Sequence, residues 1–188
     1  MEPLLLGFMA ALLAEWGDKT QLLVMVLAVR FGRAAPILVG IAAAALLNAG
    51  IAAFGGSMLH EMVTPRALSL LIAVALGFAG VSGFIPQQRP EIGVRWKVGA
   101  LATSFAAFAL AEIGDKTQFT TAAIAAHYDS VALAAAGAAA GVLLANVPAF
   151  LLGERLAAIL PLRTIRWSIA GLFLIASFVV AVNALRLI

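Results

Sequence analysis

The chain has 188 residues, of which 64% are apolar and only 11% are charged, and its mean hydropathy is +1.09. Because soluble globular domains carry about 25% charged residues, this composition excludes a soluble protein and predicts an integral membrane protein. The net charge of +3 comes from cations scattered between apolar runs, which argues against a nucleic-acid binder, and the absence of cysteine excludes disulfides, thiolate metal sites and cysteine nucleophiles.

Six apolar segments follow one another along the chain, and each is long enough to cross a hydrocarbon core of about 30 Å, which takes about 20 helical residues. They cover residues 4–29, 36–59, 67–86, 98–126, 131–153 and 167–185. The breaks between them are rich in proline, glycine and charged residues, which is typical of turns and loops. The sequence therefore predicts an all-α membrane protein with six transmembrane helices, and we expect the first to be retained because no basic signal-peptide region precedes it.

Lysine and arginine are distributed unevenly between the two sets of loops. One set holds eight of the twelve cations, which are Arg30, Arg33, Arg89, Arg95, Lys97, Arg155, Arg163 and Arg166. The other set holds only Arg66 and Arg186. Because cytoplasmic loops are enriched in these residues, the eight-cation side is predicted to be cytoplasmic, with both chain ends on the non-cytoplasmic side.

A seven-residue string that occurs twice is the most informative pattern in the chain. Glu-Trp-Gly-Asp-Lys-Thr-Gln at residues 15–21 returns as Glu-Ile-Gly-Asp-Lys-Thr-Gln at residues 112–118, an offset of 97 residues. The copies fall in the first and fourth segments, so residues 1–86 and 98–188 are predicted to be two three-helix repeats joined by a cytoplasmic linker at 87–97. Since each repeat has an odd number of helices, the second enters the membrane from the opposite face, and the repeats are inverted.

The repeated string places charge where lipid is expected. Each charged side chain at the centre of a membrane helix costs about 2.5–3.5 kcal/mol on insertion scales, so such residues usually mark ion or proton pathways. In each copy the Glu, Asp and Gln are three residues apart and share one helix face. The predicted oxygen ligands of a metal cation are Glu15, Asp18, Gln21, Glu112, Asp115 and Gln118.

Oxygen ligands of this kind favour Ca²⁺ or Mn²⁺, because Ca²⁺ tolerates about six to eight oxygens in irregular geometry and Mn²⁺ accepts carboxylates and carbonyls. The four acids and two lysines of the motifs sum to −2 when all are ionised, and one divalent cation or two protons would cancel that charge. We therefore expect cation and proton to compete for the same oxygens, as they do in an exchanger.

Other residues are predicted to support this site. The glycines one residue before each Asp weaken the helix and allow either close backbone approach or a local break that frees carbonyls, and the threonines add hydroxyl oxygens. The lysines either pin the aspartates of the opposite repeat or serve as a built-in cation when the site is empty, and the mid-segment asparagines either complete the site or hydrogen-bond between helices. These supporting residues are Gly17, Lys19, Thr20, Asn48, Gly114, Lys116, Thr117 and Asn146.

Both copies carry the full pattern Glu-x-Gly-Asp-Lys/Arg-Thr/Ser, at residues 15–20 and 112–117. Over essentially its whole length the chain resembles a membrane family defined by two such motifs, whose members exchange calcium and manganese for protons in Golgi, thylakoid and bacterial membranes. The resemblance implies a secondary active transporter rather than an enzyme, with no prosthetic group, that binds Mn²⁺ or Ca²⁺ at the motif acids and exports it from the cytoplasm as protons enter. The chain is compact, without a long N-terminal extension, so we expect a bacterial inner membrane.

The residues themselves leave other interpretations open. Ion pairs between Glu15 and Lys19, and between Glu112 and Lys116, four residues apart, would serve packing alone. A passive cation channel, an intramembrane lipid-phosphate enzyme or an exporter of a small organic cation would also place carboxylates at membrane depth. The expected partners are the cation, protons and the lipid bilayer, with no nucleic acid, and the chain is either a monomer or a homodimer.

Overall fold

The computed structural model describes residues 1–87 and 99–186, and in these residues all regular structure is helical. The predicted linker, with its three cations Arg89, Arg95 and Lys97, lies outside the described residues apart from Gln87. The described helices are α1 (Glu2–Glu15), α2 (Lys19–Phe31), α3 (Ala34–Ser57), α4 (Pro65–Gly83), α5 (Ala100–Glu112), α6 (Lys116–Tyr128), α7 (Val131–Leu152), α8 (Glu154–Ile159) and α9 (Leu162–Leu185).

Four helices, α3, α4, α7 and α9, are long and apolar enough to cross a membrane. This result confirms the prediction of an all-α membrane protein. Helix α4 shows how local sequence sets a helix start: the Thr64 hydroxyl accepts a hydrogen bond from the backbone N–H of Ala67, and Pro65 occupies the first turn, where its missing N–H is not needed. Helix α9 begins at Leu162, earlier than the predicted start at residue 167, and the short helix α8 precedes it.

The predicted first and fourth segments are each divided into two helices at the repeated motif. Helices α1 and α2 are separated at residues 16–18, and helices α5 and α6 at residues 113–115. Within these breaks Gly17 and Gly114 have φ angles of +74° and +70°. Glycine adopts this left-handed conformation without the steric penalty of a Cβ, so the break that the sequence allowed is built in both copies.

Glycines let helices from the two halves approach closely. Helix α7 packs against α1, where a Cβ on Gly137 would lie 2.1 Å from the carbonyl oxygen of Leu4. Helix α3 packs against α5, where a Cβ on Gly40 would lie 2.6 Å from the carbonyl oxygen of Leu101. The two contacts are equivalent: the offset of 97 residues relates Gly40 to Gly137 and Leu4 to Leu101, so each contact joins a glycine of one half to a leucine of the other. Close approach at small residues is a common way for membrane helices to associate.

Most of the remaining packing also crosses between the halves. Helix α3 packs on α7, α4 runs along α9, α2 contacts α5 and α7, and α6 contacts α1 and α3. The main core cluster consists of small and aliphatic side chains with one large aromatic ring, that of Phe108 on α5. One contact has no counterpart of similar extent among the described residues, since α4 packs along α6 but α9 hardly touches α2.

Candidate cation site

The glutamine of each motif closes the break in its own helix. The side-chain oxygen of Gln21 accepts from the backbone N–H of Gly17 at 2.9 Å, and that of Gln118 accepts from the backbone N–H of Gly114 at 2.8 Å. Asp18 also caps α2, because its carboxylate accepts from the following backbone N–H at 2.7 Å. This role of the glutamines was not predicted from the sequence, although a Gly and a Gln lie four residues apart in both copies.

Three acids from the two halves converge on one point. Carboxylate oxygens of Glu15, Glu112 and Asp115 all lie within 4.8 Å of one another. Glu15 is fully buried and accepts hydrogen bonds from the hydroxyls of Thr117, at 2.8 Å, and Thr20. One oxygen of Glu112 and one of Asp115 are buried without a hydrogen-bond partner. Because buried polar atoms are costly without a partner, this cluster suits a bound cation.

The fourth acid, Asp18, is not part of this cluster, and each aspartate is paired with the lysine of the other motif. Lys116 forms a salt bridge with Asp18, and the two side chains are only 5% and 1% exposed. Lys19 forms the corresponding salt bridge with Asp115 at 2.9 Å, and these side chains are 33% and 15% exposed. The structure thus contains two crossed lysine–aspartate pairs, and each links one half of the chain to the other.

The predicted amide ligands are engaged with backbone groups. The side chain of Gln21 donates to the carbonyl oxygen of Ala145 at 2.7 Å, in addition to its bond with the motif glycine. Asn48 donates from α3 to the carbonyl oxygen of Ala109 on α5 at 3.1 Å, which is a bond between helices. Asn146 donates to a carbonyl of its own helix at 2.9 Å and keeps a buried oxygen without a partner. Ligand roles for the glutamines and asparagines stay predictions.

A residue that the sequence analysis treated only as a topology signal borders the site. Arg166, in the second turn of α9, donates from Nη1 to the carbonyl oxygen of Gly17 at 3.4 Å. Its side chain lines a small void that Lys116 also lines. Glu112 lines a second small void together with Asn48, Thr117 and Thr121.

The arrangement is suited to binding a hard cation. Carboxylates from both halves would supply the ligand oxygens, and carboxylate oxygen is the ligand type that Mn²⁺, Ca²⁺ and Mg²⁺ prefer. The acids of the two motifs outnumber the lysines by two charges when all are ionised, so a divalent cation would neutralise the site. The described part of the site contains no histidine or thiolate in the three-acid cluster, so softer metals have no matching ligand there.

Comparison with known proteins agrees with this chemistry. The model of the family described as "Divalent cation/proton antiporter GDT1" matches residues 3–91 and 100–187. A protein of Vibrio cholerae serotype O1 named "Putative manganese exporter" is 38% identical over 187 residues, which cover 96% of this chain and 91% of that relative. No solved structure matches the chain. The chain therefore belongs to the GDT1 family of divalent cation/proton antiporters, which are transporters and not enzymes.

Proposed function

We propose that this protein exports Mn²⁺ from the cytoplasm in exchange for protons. The observation that carries the proposal is the convergence of Glu15, Glu112 and Asp115, with buried oxygens that lack hydrogen-bond partners. The name of the Vibrio cholerae relative favours manganese. Calcium is the second cation to test, because Ca²⁺ also takes carboxylate oxygens and tolerates irregular geometry. In either case the metal is the transported substrate and not a resident cofactor.

The proposed architecture has six membrane spans in two inverted repeats. Helices α1 and α2 together form the first span, and α5 and α6 together form the fourth, while α3, α4, α7 and α9 form the others. The matched contacts of Gly40 with Leu101 and of Gly137 with Leu4 support a pseudo-two-fold relation between the halves. An odd number of spans in each half makes that relation an inverted one, with the site at the repeat interface.

The distribution of cations supports an orientation for this architecture. Among the described residues, Arg30 and Arg33 lie around the end of α2, and Arg163 and Arg166 lie at the start of α9. The opposite side carries Arg66 and Arg186. By the positive-inside rule the start of α9 is cytoplasmic and both chain ends are not. The bacterial relative makes the inner membrane of a bacterium the expected location.

The exchange follows from competition for the same carboxylates. When a divalent cation binds Glu15, Glu112 and Asp115, it brings two positive charges close to Lys116. Repulsion between like charges weakens the hold of Lys116 on Asp18, so the fourth acid becomes free to join the ligands. When the cation leaves, two protons restore neutrality to the acids. The site therefore switches its accessibility from one face of the membrane to the other with either one cation or two protons bound.

The test is transport by the purified protein in proteoliposomes, with internal dyes that report Mn²⁺ and pH together. The expected result is Mn²⁺ uptake that drives protons out, and a pH gradient that drives Mn²⁺ against its own gradient. Ca²⁺ in place of Mn²⁺ ranks the two cations. Mn²⁺ flux without proton movement would show a channel or uniporter, and absence of flux of either metal would contradict the proposal.

A further inference from the structure

The first motif break is covered by the start of α9. A Cβ on Gly17 would lie 2.8 Å from the carbonyl oxygen of Leu162 and 3.2 Å from the Cβ of Arg166. The guanidinium of Arg166 also donates to the carbonyl oxygen of Gly17 at 3.4 Å. The backbone and one side chain of α9 therefore rest directly on this break, and Gly17 is buried.

The second motif break is open, although its sequence is nearly the same. A Cβ on Gly114 would meet nothing within 4 Å, and the neighbouring Ile113 is 65% exposed. The Lys19–Asp115 pair beside this break is also partly exposed, whereas the crossed pair at the first break is almost completely buried. The first break is thus covered by α9, whereas the second break and the ion pair beside it are partly exposed.

Open backbone at membrane depth requires water or protein next to it. Non-helical backbone is tolerated in the hydrocarbon region only where protein covers it or where it lines a water-filled cavity. A cavity of about 500 Å³ lies between α1, α4, α6 and α9, and Thr120 and His127 of α6 are among its lining residues. On α6 the lining begins at Thr120, beyond the first turn after the second break, so the cavity lies along the later turns of that helix.

The two halves carry different residues at the position equivalent to Arg166. The offset of 97 residues relates Leu162 and Arg166 of α9 to Pro65 and Ser69 of α4. Ser69 donates to the carbonyl oxygen of Pro65 at 3.1 Å and lines the large cavity. It does not contact Gly114, which has open space where a side chain would be. Arg166 therefore carries a positive charge beside the first break, whereas the equivalent residue of the other half, Ser69, carries a neutral hydroxyl.

We propose that Arg166 is the gating residue on the α9 side of the site. While Arg166 rests on Gly17, its charge lies beside Lys116 at the same small void and repels a cation that approaches from that side. The start of α9 has to move away from Gly17 before a cation can reach the acids from there. This inference rests on the proposed function, which assigns that side to the cytoplasm. In this state the site is therefore closed to the cytoplasm.

Cysteine labelling tests the gate directly, because the chain has no cysteine of its own. Ala14 is only 4% exposed and lines the same void as Arg166 and Lys116. A single Ala14→Cys variant in sealed vesicles is treated from each face with a membrane-impermeant cationic thiosulfonate reagent. Arg166→Ala is compared with Arg163→Ala, a matched control on the same helix whose guanidinium lies over the Trp167 ring at 4.3 Å.

Arg166→Ala is expected to speed labelling from the α9 face about tenfold, the ratio that corresponds to the loss of one charge-assisted hydrogen bond. Arg163→Ala is expected to leave the rate unchanged. Equal rates in the two variants would overturn the proposal. If Arg166→Ala is not recovered folded, Arg166→Gln, which keeps an amide donor without the charge, is expected to give a smaller increase in the same direction, and no increase would overturn the proposal.

A second cysteine position tests the open side. Ile113→Cys is expected to react from the face opposite the start of α9, because Ile113 is exposed and open backbone at membrane depth has to line water where protein does not cover it. No labelling from either face would mean that lipid or a second copy of the chain covers this break, and it would overturn the proposal. Labelling requires no metal transport, so a normal labelling pattern in a protein without Mn²⁺ exchange would leave the gate intact and contradict the proposed function alone.

Discussion

The two copies of the motif share six of seven residues, but their acids are in different states. In the first copy, Glu15 accepts hydrogen bonds from two hydroxyls and Asp18 is paired with a buried lysine. In the second copy, Glu112 and Asp115 each keep a buried oxygen without a partner. The second copy thus keeps two carboxylate oxygens without partners, although Asp115 is also paired with Lys19 through its other oxygen. Two nearly identical sequences therefore present carboxylates with different hydrogen-bonding environments, because the packing around each copy differs.

The neighbouring helices also differ between the two copies. The start of α9 lies on the first break through Leu162 and Arg166, but nothing described covers Gly114. The same contrast appears in the crossed ion pairs, since Lys116 is far more buried than Lys19. The proposed alternating access requires such an inequality in each state, because a site that is open to both sides at once would not move a cation against its gradient. Mutations made in matched positions of the two copies test how far the inequality extends.

The largest effect on Mn²⁺ exchange is expected from substitution of the glutamate of either motif. Glu15→Gln and Glu112→Gln should each reduce Mn²⁺ exchange to the level of protein-free liposomes, because each removes one of three converging carboxylates and half of the excess negative charge. The measurement is the proteoliposome assay with both dyes. Glu2→Gln, which alters an exposed acid at the start of the same helix as Glu15, should leave exchange unchanged. Full exchange in either motif variant would contradict a site shared by the two copies.

Much of the site could be predicted from the sequence because its chemistry is local. Carboxylates within apolar segments are unusual enough to indicate a cation pathway, and a doubled motif predicts that both copies contribute. A local break at each glycine was one of the two roles that the sequence suggested, and the structure shows it, with φ near +70° at both positions. The all-helical membrane fold followed from the length and apolarity of the segments.

The remaining features depend on contacts between residues distant in the chain. Arg166 meets Gly17 across 149 residues, and Lys116 meets Asp18 across 98 residues. A repeat in the sequence predicts the same environment for both copies. It cannot indicate that both oxygens of Asp18 have partners while one oxygen of Asp115 has none. The glutamine caps were missed for another reason: an amide oxygen near carboxylates suggested a metal ligand, whereas the unpaired backbone N–H of each break offered a nearer partner.

A moderate effect is expected from the two lysines, and it should be unequal. Lys116→Gln leaves Asp18 as a buried charge without its partner, which typically costs about 3–5 kcal/mol of stability. Lys19→Gln breaks a partly exposed pair, which is typically worth about 0–1 kcal/mol. Thermal unfolding in detergent without metal should show the larger loss for Lys116→Gln. Because that variant also makes the site more negative, added Mn²⁺ should restore more of its stability than it adds to the wild type.

Equal losses for the two lysine variants would show that the difference in burial has no energetic consequence. A larger loss for Lys19→Gln would reverse the assignment of the closed side. In either case the effect of Mn²⁺ separates the two contributions of Lys116, since a purely structural lysine would give a variant that Mn²⁺ stabilises no more than it stabilises the wild type.

The smallest effect is expected from adding one methyl group to each break. Gly17→Ala and Gly114→Ala both force a Cβ into the left-handed region, at about 1–2 kcal/mol each. Only the first also drives that Cβ to 2.8 Å from the Leu162 carbonyl oxygen, so Gly17→Ala should lower the unfolding midpoint further than Gly114→Ala. Gly50→Ala is the control, because it lies within α3 with open space around it and should raise stability by about 0.5–1 kcal/mol. If Gly17→Ala and Gly114→Ala were equally destabilised, α9 would not rest on the first break in solution, and the inequality between the two copies would lose its structural cause.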